Sequence, residues 1–135
     1  MKKLLSIVCC SIILLSVSSC TKKYITPNPN QTIVFDVASS AWVASDPTTG
    51  LSYSASLPVP EITDDFARFG GVIVSISYDD GDTYEQLPEV FNNTSFSYTY
   101  NSGNVTIYAQ NSDGSAAVKP TDPIKIKVIL VASTN

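Results

Sequence analysis

The chain has 135 residues, a formal net charge of −4, three cysteines and no histidine. The missing histidine removes Ser-His and Cys-His nucleophile pairs and the commonest metal ligand. The acidic balance repels phosphate and argues against a nucleic-acid partner.

Lys2 and Lys3 open the chain, an apolar run of about 14 residues follows from Leu4 to Val17, and Val17-Ser18-Ser19-Cys20 comes next. A basic start, a short apolar core and small residues before a cut site make a secretory leader. The run is short of the roughly 20 residues a membrane-spanning helix needs. The stretch resembles a bacterial lipoprotein signal peptide with its lipobox. That resemblance implies that residues 1–19 are removed and that Cys20 is lipidated and becomes the first residue of the mature chain. An uncleaved N-terminal helix and secretion without lipid are the alternatives; Ser-Ser-Cys favours lipidation. Acyl chains on Cys20 would bury about 0.8 kcal/mol per methylene, and two or three chains make an anchor effectively permanent. Cys9 and Cys10 would leave with the leader, so the mature domain would have neither a free thiol nor a disulfide and must rest on its core alone.

From Cys20 onward the chain keeps 116 residues, with six basic and twelve acidic side chains, a net charge of −6. That length supports one domain with a core of its own. Residues 20–31, with Pro27, Asn28, Pro29 and Asn30, read as a tether, and 32–135 as the folded domain.

The folded part predicts strands throughout. Ile33, Phe35 and Val37 alternate with polar neighbours, as do Leu51, Tyr53, Ala55 and Leu57 with three serines between them. Val72, Val74, Ile76 and Tyr78 share one face, with Ser75 and Ser77 on the other; Phe96, Tyr98 and Tyr100 repeat the pattern. Ile124, Ile126, Val128 and Leu130 alternate with Lys125 and Lys127, then Ile129 and Val131 make both faces apolar, which suits a central strand. Turn signals fall at Asp46-Pro47-Thr48-Thr49-Gly50, Asp79-Asp80-Gly81-Asp82 and Asn101-Ser102-Gly103-Asn104. One short helix is expected over Thr63–Phe69, with Thr63 as cap and Asp64 and Asp65 in the first turn. Seven or eight short strands at this spacing predict an all-β fold, an antiparallel β-sandwich that is immunoglobulin-like or related.

In order, Trp42, Tyr53, Pro60-Glu61-Ile62-Thr63, Gly71-Val72-Ile73-Val74, Leu87-Pro88, Tyr98 to Ile107 and Lys125–Ile129 follow a loose pattern across most of the mature chain. It resembles that of small lipoproteins and secreted proteins of Bacteroides-type bacteria. The resemblance implies a compact β-sandwich and carries over no functional residues. Acidic residues after the lipidated cysteine mark some surface-displayed lipoproteins. Thr21, Lys22 and Lys23 lack them, which favours an outer membrane anchor facing the periplasm, with the cell surface as the alternative.

The chemistry left to the chain is carboxylate and aromatic. Asp79, Asp80, Asp82 and Glu85 crowd one turn, where oxygen ligands could hold calcium, although an EF-hand spacing is absent and a solvated turn explains the same residues. Glu61, Asp64 and Asp65 form a second acidic group. Paired carboxylates could cleave a glycosidic bond; capping charge and solubility explain the same residues. Trp42 and Tyr84 are the candidate binding rings: Trp42 is either core or a cap on one end, and Tyr84 is the ring expected to be exposed. The sequence thus predicts a lipid-anchored envelope protein acting as a non-catalytic binding module for a protein or a glycan, without a cofactor. The alternative is a small carboxylate-dependent glycoside hydrolase.

Overall fold

Alternating apolar and hydroxyl side chains give each strand one face to bury, and two antiparallel sheets close over those faces. The computed structural model describes residues 30–133. The leader, Cys20 and most of the tether lie outside the described residues. The strands are β1 (Gln31–Val37), β2 (Val43–Ala44), β3 (Ser52–Pro58), β4 (Gly71–Ser77), β5 (Glu85–Gln86), β6 (Glu89–Phe91), β7 (Thr94–Asn101), β8 (Asn104–Asn111) and β9 (Ile124–Val131). A 3-10 turn covers Ser39–Ala41, and the helix α1 covers Asp64–Phe69.

One sheet has the order β1-β9-β4-β5 and the other β2-β3-β8-β7-β6. The all-β sandwich expected from the alternation is therefore present, with nine strands among the described residues because β2, β5 and β6 are too short to show a period. In an immunoglobulin domain the first strand lies beside the second. Here β1 lies beside the last strand, β9, so the two-layer architecture is shared without that strand order.

The inner rows meet as the alternation requires. Ile33, Val128 and Val74 lie side by side, as do Phe35, Ile126 and Ile76. Across the core, Ala55 stands beside Ile107, which faces Tyr98, and Tyr53 beside Ala109, which faces Phe96. Val74, Ile76, Ile107, Ile126 and Val128 are fully buried, and each buried aliphatic side chain of this size contributes about 1.5–3 kcal/mol. The Tyr98 hydroxyl donates to the Val72 carbonyl at 2.7 Å and ties the two sheets together. β9 pairs β1 on one side and β4 on the other, the central position its two apolar faces foretell.

Local signals placed the connections. Thr63 caps α1, its hydroxyl oxygen accepting from the Phe66 N–H at 3.2 Å, with Asp64 and Asp65 in the first turn. Asn101 faces Asn104 across a two-residue turn in which Gly103 has φ of 79°. Asp46 accepts from the Thr48 N–H at 2.8 Å in the turn before β3.

Two boundaries and the facing of one side chain differ from the sequence reading. The strand expected from Leu51 begins at Ser52, and Leu51 is 46% exposed beside the Gly50 turn. The tether expected to run to residue 31 gives way to β1 at Gln31, which pairs with Leu130. Ser77, expected to face outward, is buried, because the loop after β4 folds back over it. Among the described residues no helix is long and apolar enough to cross a membrane.

Candidate functional site

The end of the sandwich where β4 finishes and β9 begins carries a groove of about 240 Å³, lined by Tyr78, Phe91, Phe96 and the segment from Val118 to Asp122. Tyr78 reaches it because it continues the inward row of Val72, Val74 and Ile76 one step past the end of β4. Phe91 arrives from β6, whose hairpin to β7 turns at Asn92 and Asn93. Both have positive φ, at 47° and 63°. Left-handed backbone at both central residues is the hairpin geometry that matches strand twist, and asparagine tolerates it better than most residues. The Val118–Asp122 segment is held by the Ser39 hydroxyl, which donates to the Pro120 carbonyl at 2.9 Å, and by the Ala117 N–H on the Gly50 carbonyl.

The groove floor is a chain of rings. Trp42 meets Phe96 edge-on at 6.3 Å, Phe96 meets Tyr78 at 5.9 Å, and Tyr78 stacks on Phe91 at 4.1 Å with 15° between planes. The chain starts fully buried and ends in Phe91, which is 39% exposed. Asn92, Thr94, Lys119, Thr121 and Asp122 add polar groups around it.

Tyr78 is fixed at its far end too. Its hydroxyl donates to Glu89 Oε1 at 2.6 Å. Burial, followed by the Glu89 carboxylate, raises the Tyr78 phenol well above its ordinary value, so it stays protonated and donating. Glu89 is itself raised, first by desolvation and then by its hydrogen bond with the Glu85 side chain, with Tyr78 acting in the opposite direction. The sequence reading missed this cluster. Its members are separated by turns whose length the sequence does not set, although Asn92-Asn93 is a hairpin signal that could have placed Phe91.

The carboxylates singled out in the sequence are not assembled as ligands. Asp79 serves its own loop: its Oδ1 accepts from the Ser77 hydroxyl at 2.7 Å and the Thr83 N–H at 2.9 Å. These donors lower its pKa to about 2, the Thr83 N–H contributing most. Asp80, at φ 60°, lies 3.1 Å from Lys125 Nζ, which also meets Asp36 at 2.5 Å. Asp36 first and Asp80 second raise the Lys125 pKa. Asp82 and Glu85 are exposed. Among the described residues no three His, Cys, Asp or Glu side chains are grouped to hold a metal ion. The Asp79 oxygen faces hydroxyl and amide donors and the Asp80 oxygen faces the Lys125 ammonium.

The second acidic group fares similarly. Glu61, Asp64 and Asp65 are exposed, and the hollow beside α1 is lined by Asp65 with Thr63, Phe66, Phe69 and Gly70, a single carboxylate. Glycoside hydrolysis needs two carboxyl groups about 5 Å or more apart across the bond. Glu89 is engaged by the Tyr78 hydroxyl at 2.6 Å, with the Glu85 side chain near enough to raise it.

The candidate rings also resolve. Trp42 is 2% exposed and belongs to the core, which removes it as a stacking platform. Among the described residues its Nε1 has no hydrogen-bond partner. Tyr84 is half-buried rather than free: Lys127 Nζ sits 3.3 Å from the centre of its ring, a cation–π contact that occupies one face. Phe91 is an exposed ring at the groove, as Phe69 is at the hollow beside α1, and the sequence reading singled out neither. No family model, no curated protein and no solved structure matches the chain.

Proposed function

We propose that this chain is a lipid-anchored, non-catalytic binding module of a bacterial cell envelope, and that it takes a glycan at the groove around Tyr78 and Phe91. The observation that carries the ligand class is the stack itself. Phe91 offers an outer ring face while its inner face is held by Tyr78 at 4.1 Å. A pre-ordered flat ring loses little entropy on binding, and the apolar C–H face of a sugar packs well on it. Hydroxyl groups at the sugar's rim would find Asn92, Thr94, Thr121 and Asp122 beside the ring.

The anchor reading is supported by geometry as well as by the leader. β1 begins at Gln31, beside Leu130, and the groove lies at its other end, where Val37 faces Ile124. Seven strand residues separate the two ends by roughly 20 Å. A chain tethered through Cys20 would enter the domain at the end away from the ligand.

Two measurements test the reading separately. Labelling with a tagged fatty acid is expected to mark the wild-type chain and to fail on Cys20→Ser; label that survives the substitution refutes the anchor. An oligosaccharide array probed with the full chain is expected to give neutral sugar ligands whose binding falls at least tenfold in Phe91→Ala. Binding to no sugar, or equal binding by the variant, refutes the glycan groove.

A further inference from the structure

Each sheet has two edges, and three of the four are formed by very short strands: β2 and β5 with two residues each and β6 with three. Short edges withhold a template from other chains. β1 is different. It has seven residues, pairs with β9 on one side, and has no main-chain partner on its other side among the described residues. It contains neither lysine nor proline. Its seven residues match β9 without a break, so no bulge turns the edge away. Val34, at its midpoint, is 49% exposed on the outer face.

The strand also suits itself as a partner. In an antiparallel pair centred on Val34, Val34 faces Val34 of the second copy, Ile33 faces Phe35, and Thr32 faces Asp36. Like charges are kept apart, because each Asp36 meets a hydroxyl and is already paired with Lys125 of its own chain. Ile33 and Phe35, half-buried at the rim of the core, would cover one another. A slip of one residue would set inward side chains against outward ones. A slip of two would place Asp36 beside Val34 or Gln31 beside Phe35 and leave two strand residues without a partner.

We propose that two copies of this chain join through β1, antiparallel about a two-fold axis at Val34, and fuse their four-stranded sheets into one of eight strands. Such a contact is isologous and closes on itself, so it stops at a dimer. One strand pair is small beside the roughly 1,200 Å² of a stable interface. The dimer therefore fills at high local concentration and dissociates on dilution. Neither the glycan groove nor the lipid is needed for the pairing.

Disulfide trapping in cells that express the full chain tests this. Facing residues in antiparallel strands have Cα atoms about 4.5–5.5 Å apart, within disulfide range. Val34→Cys is expected to give an oxidised homodimer on a non-reducing gel. Ile73→Cys, outward on the same sheet but two strands from β1, is the collision control, and the wild-type chain reports its native cysteines. In sedimentation of the detergent-purified full chain, the wild type is expected to show a dimer that grows with concentration and Val34→Lys to stay monomeric with an unchanged circular dichroism spectrum. Four results would overturn the proposal: no trapped dimer, equal trapping at Ile73→Cys, a disulfide within one chain to Cys9, Cys10 or Cys20, or a trapped species containing a different protein.

Discussion

Tyr78 and Phe91 are stacked at 4.1 Å although they sit on different sheets, Tyr78 following β4 and Phe91 ending β6. The stack closes one end of the sandwich and leaves one ring face toward solvent. Phe91 is therefore the part of this assembly that can be removed with the least damage to the core.

Truncating it separates recognition from stability. Phe91→Ala forfeits a half-exposed ring and an aromatic pair worth about 0.5–1.5 kcal/mol beyond area. A thermal melt is expected to fall by a few degrees, while oligosaccharide binding drops at least tenfold. Phe96→Ala, at a buried ring, is expected to cost about 3–5 kcal/mol. If the two variants melted alike, the ring order from core to rim would be wrong.

The loop after β4 carries an acid-sensitive contact. The Asp79 pKa is lowered from an ordinary 3.8 to about 2 by the Thr83 N–H and the Ser77 hydroxyl. A depressed folded-state value means that the charged form favours folding. The contribution is present above pH 3.8 and fades as the pH falls through about 2. Asp79→Asn is expected to melt below the wild type at neutral pH, with the gap narrowing below pH 3.8 and closing near pH 2. Melts recorded from pH 2 to 7 read this directly, and a gap that stayed constant would remove the assignment.

Much of the fold was legible because the signals are local. The period-two rows at Val72–Ile76 and Ile124–Leu130, the Thr63 cap and the glycine at 103 each depend on neighbours a few residues away. The site was less legible because it depends on distant pairings. Tyr84 reads as an exposed ring until Lys127 is placed over it from β9. Trp42 reads as ambiguous until Phe96 arrives beside it from β7. The acidic turn reads as a solvated turn or a calcium loop, and its pairing with Lys125 shows only when the sheet brings that side chain to Asp80. β5 and β6 are too short to carry a period, and without them Glu85, Glu89 and Phe91 have no address.

Turn glycines differ in what surrounds them. Gly103 and Gly81 both have positive φ, at 79° and 98°. A Cβ at Gly103 would meet open space, whereas one at Gly81 would lie 3.2 Å from the Tyr84 hydroxyl and 3.3 Å from Lys125 Cδ. Gly103→Ala is expected to cost about 1 kcal/mol from backbone strain. Gly81→Ala should cost more, about 2 kcal/mol, because Tyr84 and Lys125 must also give way. Denaturant titration orders the two, and a Gly103→Ala variant as unstable as Gly81→Ala would contradict the contacts around Tyr84.

The strongest dependence falls on β9. Val128 is fully buried at the centre of the sheet, flanked by Ile33 on β1 and Val74 on β4. An aspartate there would have to be buried without a partner or protonated, at a cost of several kcal/mol, comparable to the whole stability of a domain of this size. No disulfide is expected to hold the chain together in compensation. Val128→Asp is therefore expected to abolish the cooperative thermal transition, while Ile129→Asp, half-buried on the outer face beside Thr32 and Ile73, keeps a lowered one. Retention of a transition within a few degrees of the wild type by Val128→Asp would mean that β9 does not occupy the middle of its sheet.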